Sequence, residues 1–156
     1  MKVKLFCVGT KMPSWVQLGV ADYAKRIVSD LGFSIIEIPM AKRSKTTSMM
    51  QCIKKEGDAL LAAVNHDDYI VAMDVLGKSF HTETLAQKIG DFRRDGRNLS
   101  LLIGGPDGLS AECLSKADER WSLSALTLPH PLVRVLLTEQ LYRASSILKG
   151  HPYHRA

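Results

Sequence analysis

Residues 99–109 read Leu-Ser-Leu-Leu-Ile-Gly-Gly-Pro-Asp-Gly-Leu, and this stretch decides the fold class. Its first five residues are apolar except for Ser100, which is typical of a strand covered on both faces of a parallel sheet. Gly104, Gly105 and Gly108 then allow a sharp turn and the close approach of a ligand to the main chain. The spacing is not GxGxxG and does not indicate a dinucleotide site. The sequence leaves two interpretations of this glycine-rich stretch: a ligand-binding loop, or a sharp strand-to-helix turn with no ligand.

Strands and helices alternate on both sides of that stretch. Apolar, β-rich runs predict further strands over 2–8, 33–38, 69–73 and 121–123. Helical spacing of apolar residues predicts helices between them, with Ser14, Thr82 and Ser110 as caps and Pro131 opening the last helix. The alternation predicts one α/β domain over 1–156, with a mostly parallel sheet and helices on both faces.

Ligands of such sheets bind beyond the carboxyl ends of the strands. The loops after Met73, Ile103 and Leu123 are therefore the candidate sites. The last of these loops lies in the segment SLSALTLPHP (122–131), whose small and apolar residues and two prolines predict a stiff connection. Such a segment suits either the flank of a flat apolar ligand or a buried link beneath the last helix.

The composition and charge of the chain limit the classes of protein to which it can belong. Of 156 residues, 46% are hydrophobic and 24% are charged, which excludes a disordered chain. No apolar run approaches the roughly 18 residues that span a bilayer, and no signal peptide is evident, so we expect a cytoplasmic protein without a membrane partner. The net charge of +5 is compatible with a polyanionic partner but does not identify one. Cys7, Cys52 and Cys113 lie far apart, which predicts buried free thiols.

Three further features have competing interpretations. Gly77-Lys78-Ser79 resembles the end of a P-loop, but Ala72 stands where that motif needs glycine, so we interpret Gly77 as a turn. The last helix is apolar on more than one face, which favours a homodimer interface over burial within one chain. In the tail, two histidines are weak evidence for a metal, and we predict none. Tyr153 and Arg155 suit stacking on a base and pairing with phosphate, unless the tail is frayed.

Five stretches together resemble the SPOUT methyltransferases that modify N3 of a pseudouridine in large-subunit ribosomal RNA. They are VGTKMP (8–13), EIP (37–39) with the basic loop at Lys42 and Arg43, LLIGGP (101–106), LSALTLPHP (123–131) and HPYHR (151–155). The resemblance covers nearly the whole chain. Met73, where leucine is common, and Asp107, where glutamate is common, are mild departures.

The resemblance implies a C-terminal trefoil knot and S-adenosylmethionine (AdoMet) as cofactor. The implied cofactor-binding residues are Met73, Gly105, Ser124, Ala125, Leu126, Thr127, Leu128 and Pro129. It further implies a homodimer in which the cofactor of one subunit faces the tail of the other. The implied catalytic residues are Tyr153, Arg155 and His130, with Arg155 stabilising an anionic base and His130 a candidate proton acceptor.

The implied substrate is a pseudouridine in the helix 69 loop of 23S rRNA, methylated on assembled 70S ribosomes. Lys42, Arg43 and Lys45 are the first candidates for docking the RNA. Two alternatives remain open at this point. One is a ribosome- or RNA-binding module without chemistry, and the other is a methyltransferase of the same class acting on transfer RNA.

Overall fold

A computed structural model describes residues 1–156 and contains one five-stranded sheet in the order β2-β1-β4-β3-β5. Every neighbouring pair of strands is parallel, which confirms the predicted fold class. The elements are β1 (Val3–Val8), α1 (Ser14–Ala24), α2 (Val28–Leu31), β2 (Ser34–Ile38), α3 (Met49–Ala63), β3 (Tyr69–Lys78), α4 (Thr82–Arg94), β4 (Leu99–Ile103), α5 (Ala111–Lys116), β5 (Glu119–Trp121) and α6 (His130–Leu148).

The core lies on both faces of the sheet, with β4 at its centre. All five residues of β4 are buried, as the sequence predicts for a strand covered on both sides. One face packs against α1, α4 and α6, and the other packs against α3 and α5. The three cysteines are buried and free, as predicted. None of the helices has the combination of length and apolar character that spanning a bilayer requires.

The helix caps match the prediction only in part. The Ser110 hydroxyl accepts a hydrogen bond from the amide of Cys113 and caps α5 as predicted. The predictions for Ser14 and Thr82 are wrong, because both residues lie inside the first turn of their helices. The Thr82 hydroxyl instead donates to Gln140 of α6 over 2.9 Å, so a tertiary partner replaces the local one.

The predicted ends of two strands are also wrong. β3 does not stop at Asp74 but continues to Lys78, and β5 begins at Glu119, before Trp121. The register shifts between Met73 and Lys78, which both pair with Trp121. Gly77 is therefore part of a strand and not a turn. A Cβ atom there would lie 2.7 Å from the carbonyl carbon of Arg120, so the close approach of β3 to β5 at the register shift requires glycine.

The apolar character of α6 is explained largely within the chain. This helix packs between α1 and α4, which buries residues on two of its sides. Leu137, Leu141 and Ala144 are almost completely buried there. Of the apolar residues in α6, only Leu136 and Leu148 are exposed. Burial within one chain, the alternative to an interface, therefore accounts for most of the pattern.

Candidate active site

A cavity of about 360 Å³ opens at the carboxyl ends of β4 and β5 and beyond the part of β3 that pairs with β4, which ends at Ala72. We call it the carboxyl-end cavity. Its walls come from the loops after Ile103 and Trp121 and from Met73, Asp74 and Val75, where a loop was predicted but β3 continues. The lining includes these residues from the predicted set: Met73, Gly105, Ser124, Leu126, Thr127, Leu128 and His130. Ala125 and Pro129 belong to the same segment but do not line the cavity.

The glycine loop (residues 104–108) forms one wall and presents main chain to the cavity. A Cβ atom on Gly104 would lie 2.6 Å from the carbonyl carbon of Gly108, because the two ends of the loop nearly touch. Gly108 has a φ of +84°, a left-handed conformation that glycine adopts without strain. A Cβ atom on Gly105 would meet Val8 at 3.0 Å. The loop is therefore closed on itself, and the absence of side chains at Gly104 and Gly105 leaves room for Gly108 and for Val8.

The opposite wall is the segment 122–128, which is stabilised by its own hydrogen bonds. The Ser122 hydroxyl donates to the carbonyl of Ser124 over 2.8 Å, and the Ser124 hydroxyl accepts from the amide of Leu126 over 3.0 Å. The side chain of Leu126 is 74% exposed, and none of these residues is fully buried. The segment is thus a shaped cavity wall and not the buried connection that its composition also allowed.

His130 links the glycine loop of the cavity to Arg134, which lies four residues further along α6. Its Nδ1 donates to the carbonyl of Gly104 over 2.8 Å, and its Nε2 accepts from Nη2 of Arg134 over 2.9 Å. These partners assign the neutral Nδ1–H tautomer. Burial, with the charge of Arg134 adding to it, lowers the pKa of His130. With both ring nitrogens occupied, His130 holds the glycine loop and has no free nitrogen to accept a proton.

Arg134 contacts His130, Glu37 and Gly9, and the sequence analysis did not identify it as a site residue. Its guanidinium is 5% exposed, donates to Glu37 over 2.6 Å and reaches the carbonyl of Gly9 over 3.2 Å. The only signal in the sequence is the spacing of four residues between His130 and Arg134, which places both on one face of α6. Glu37 lies 97 positions away from Arg134, so only the fold brings the pair together.

The C-terminal tail is ordered against α6 and not frayed. The Tyr153 hydroxyl donates to Glu139 over 3.0 Å, and its ring lies 4.5 Å from that of Tyr142. Burial and the Glu139 carboxylate raise the pKa of Tyr153 to about 12. Glu139 also forms an ion pair with Arg143, at 2.6 Å. The Arg143 guanidinium lies 4.8 Å from the Tyr153 ring and 3.1 Å from Nδ1 of His154, whose Nε2 lies 3.0 Å from Glu83. The tail is therefore fixed by Glu139, Arg143 and Glu83.

The tail does not line the carboxyl-end cavity of its own chain. Its anchor, Glu139, lies nine residues beyond His130 on α6, which is about 13 Å along the helix axis and on the opposite face. Arg155 is exposed and makes no hydrogen bond or ion pair. The structure thus brings His130 and the predicted cofactor residues together but leaves Tyr153 and Arg155 elsewhere.

Comparison with known proteins agrees with this geometry. The family model described as "Predicted SPOUT methyltransferase" matches residues 1–154. The chain belongs to the SPOUT methyltransferase family. Three relatives, each named "Ribosomal RNA large subunit methyltransferase H", are 57%, 52% and 48% identical, and each alignment covers 99% of this chain and 100% of the relative. They come from Saccharophagus degradans, Marinomonas sp. and Pseudomonas fluorescens, and they place this SPOUT chain in the methyltransferase H group.

Two solved structures share the SPOUT fold of this chain at low sequence identity. A probable methylase family protein from Haemophilus influenzae has a TM-score of 0.53 at 12% identity, covering 99% of this chain and 70% of its own. A putative methylase family protein from Neisseria gonorrhoeae has a TM-score of 0.54 at 11% identity, covering 91% of this chain and 82% of its own. These likenesses support the fold alone.

The basic loop of this SPOUT chain is less free than its sequence indicates. Lys42 and Lys45 are exposed, as a docking role requires. Arg43 is half-buried, and its guanidinium is paired with Glu56 and Asp107. Lys42 and Lys45 are thus the two cations of the three that form no ion pair within the chain, and docking by the loop stays a prediction.

Proposed function

We propose that this protein uses AdoMet to methylate N3 of a pseudouridine in the helix 69 loop of 23S rRNA. It acts as a homodimer on assembled 70S ribosomes in the cytoplasm. The observation that carries the proposal is the carboxyl-end cavity in a SPOUT methyltransferase fold. Its volume of about 360 Å³ suits a small molecule, since ligand sites commonly measure about 300–1,000 Å³.

The residues around the cavity fit AdoMet. A flat adenine ring is suited by an apolar slot with main-chain donors and acceptors at its edge. The glycine loop and the segment 122–128 supply that main chain, and Leu109, Leu123 and Leu128 supply apolar lining. Met73, Gly105 and the run from Ser124 to Pro129 would hold the cofactor. When bound, AdoMet supplies a methyl group on a sulfonium, which is open to in-line attack.

The tail then has to come from a second subunit. Within one chain, Tyr153 is anchored on the face of α6 opposite His130, and no tail residue lines the cavity. A surface for pairing is present, because Trp15 and Leu18 of α1 and Leu136 of α6 are exposed and apolar. The two helices are neighbours, since a Cβ atom on Gly19 would lie 3.4 Å from Val135. In a homodimer formed through this face, the proposed site would combine the cavity of one subunit with the tail of the other.

The roles of the polar residues follow from their contacts. N3 of the base must lose a proton as it attacks, so its ring becomes anionic. Arg155 is the arginine of the tail, is exposed and forms no ion pair, and it would stabilise that anion. Tyr153, fixed by Glu139, would orient the base. His130 is a positioning residue for the glycine loop, because its nitrogens are already bonded.

The first experiment identifies the product. Ribosomes from cells that lack the protein are incubated with purified protein and labelled AdoMet, and the labelled nucleoside is identified by mass spectrometry. Label in N3-methylpseudouridine is the expected result. Label in another nucleoside would overturn the substrate, and absence of AdoMet binding would overturn the proposed chemistry.

Two variants of the tail test the assigned roles. Arg155→Ala is expected to abolish transfer and to leave the Kd for AdoMet unchanged, whereas His151→Ala, at an exposed neighbour, retains transfer. Mixing Arg155→Ala with a variant impaired in the cavity, Gly104→Ala, tests the composite site. Heterodimers contain one site with an intact tail and an intact cavity, so activity should reappear. Absence of recovery, with heterodimers demonstrated, would refute the shared site.

A further inference from the structure

Arg43 links the basic loop to the wall of the carboxyl-end cavity. Its Nη1 and Nη2 both bond to the carboxylate of Glu56 on α3. Nη2 also donates to Asp107 of the glycine loop over 3.0 Å, and Nη1 donates to the carbonyl of Ala41 over 2.8 Å. One guanidinium therefore joins the basic loop to α3, 13 positions away, and to the glycine loop, 64 positions away.

The Glu56 end of this cluster is built as a fixed anchor. The Glu56 side chain is 2% exposed, and its Oε2 also accepts from the amide of Ala41 over 2.9 Å. A buried carboxylate is tolerated when it is paired and hydrogen-bonded, and the bidentate geometry of arginine satisfies both oxygens. Glu56 raises the pKa of Arg43, mainly through their hydrogen bond, so the cation is permanent. The buried Nε of Arg43 has no partner, a cost that these contacts must offset.

The other end of the cluster acts on the glycine loop. Asp107 lines the cavity, and its carboxylate is the only side-chain group of the loop bonded to Arg43. Glu56 also touches the loop from behind, since a Cβ atom on Gly105 would lie 3.2 Å from its Oε1. Three glycines give this loop high conformational freedom, which binding a ligand would have to remove. The ion pair of Asp107 with Arg43, which is itself held by Glu56 of α3, removes part of that freedom beforehand.

We infer that Arg43 is a positioning residue that holds the glycine loop in its ligand-binding conformation through Asp107. It serves cofactor binding and not RNA docking, although it lies between two exposed basic positions of the sequence. This inference rests on the proposed binding of AdoMet in the carboxyl-end cavity. It assigns Arg43, Glu56 and Asp107 to one unit, in which Glu56 anchors and Asp107 is held.

Two mild variants and their combination test the unit. Arg43→Ala would leave Glu56 buried without a counter-ion and is expected to unfold the chain, so Arg43→Lys and Asp107→Asn are used instead. Each is expected to raise the Kd for AdoMet about tenfold in calorimetry, with little change in kcat at saturating AdoMet. The double variant should be no weaker than the single ones, because both remove the same link. Lys54→Ala, an exposed cation on α3, is the matched control and should bind normally.

The outcomes separate this inference from the proposed function. If the wild-type protein does not bind AdoMet, the proposed function fails and this inference fails with it. If the wild type binds but both variants bind within twofold of it, only the inference is overturned. A purely structural role would lower the melting temperature and leave the Kd unchanged, which also overturns it. In ribosome binding, Lys42→Ala should reduce the slope of affinity against salt, because Lys42 is exposed and forms no ion pair in the chain.

Discussion

Replacing Gly104 by alanine tests whether the closed shape of the glycine loop creates the site. The backbone of Gly104 has no left-handed φ, so alanine meets no conformational penalty there. The obstacle is space, because the new Cβ would lie 2.6 Å from the carbonyl carbon of Gly108 and 2.8 Å from the amide of Leu109. Ordinary contacts of a Cβ atom begin at 3.4 Å, so the two ends of the loop must separate by about 0.8 Å.

The size of the effect follows from what the methyl group meets. Overpacking in a well-packed region costs about 1–3 kcal/mol, and backbone atoms cannot rotate away as a side chain can. We therefore expect Gly104→Ala to lower the free energy of unfolding by about 3 kcal/mol. The control is Gly108→Ala in the same loop, where φ is +84° and no atom lies within 4 Å. That change brings left-handed strain alone, about 1 kcal/mol.

Urea unfolding and calorimetry distinguish the two glycines. Gly104→Ala should weaken AdoMet binding beyond tenfold, because the wall formed by Gly105 and Asp107 moves. Gly108→Ala should weaken it less, since its strain does not require the loop to open. A loss below 1 kcal/mol in Gly104→Ala with an unchanged Kd would refute the reasoning.

Three further predictions concern groups outside the glycine loop. Burial lowers the pKa of His130, so the unfolded chain binds its proton first as the pH falls through 6.5. The free energy of unfolding should therefore decrease from pH 7 to pH 5, and less so in His130→Asn, as measured by urea titration at each pH. Burial raises the pKa of the Cys7 thiol to about 12, and Cys52 and Cys113 are also buried. None of the three thiols should therefore react with a disulfide reagent at pH 8 until urea unfolds the chain. Gly77→Ala should lower the free energy of unfolding by about 2 kcal/mol, since its methyl group meets the backbone of β5. A loss below about 0.5 kcal/mol in urea unfolding would contradict the close contact of Gly77 with β5.

The sequence predicted those parts of the fold that one segment determines by itself. β4 was predicted over its full length because five buried residues end at a glycine pair. β3 was cut short because Asp74 and Gly77 resemble turn residues, whereas Gly77 is needed for a contact with a strand more than 40 positions away. Thr82 failed as a cap for a similar reason, since Gln140 of α6 supplies its partner. Tertiary contacts override local signals at all of these positions.

The candidate site was predicted as a set of loops but not as a set of contacts. Topology alone places the ends of neighbouring parallel strands together, so Met73, Gly105 and Ser124 could be expected around one cavity. Nothing local indicates that Arg134 meets Glu37 or that Arg43 meets Asp107, because each pair is separated by more than 60 positions. The trefoil knot stays a prediction from the resemblance, since strand order and register do not describe threading.

The apolar character of α6 is weak support for the proposed homodimer. An apolar last helix favoured an interface, yet α1 and α4 of the same chain cover most of that helix. Leu136 and Leu148 of α6 stay exposed, as do Trp15 and Leu18 on the adjacent α1. These two helices approach closely because Gly19 leaves room for Val135. Since the tail does not line the cavity of its own chain, the proposed homodimer is the arrangement in which a second copy would supply it.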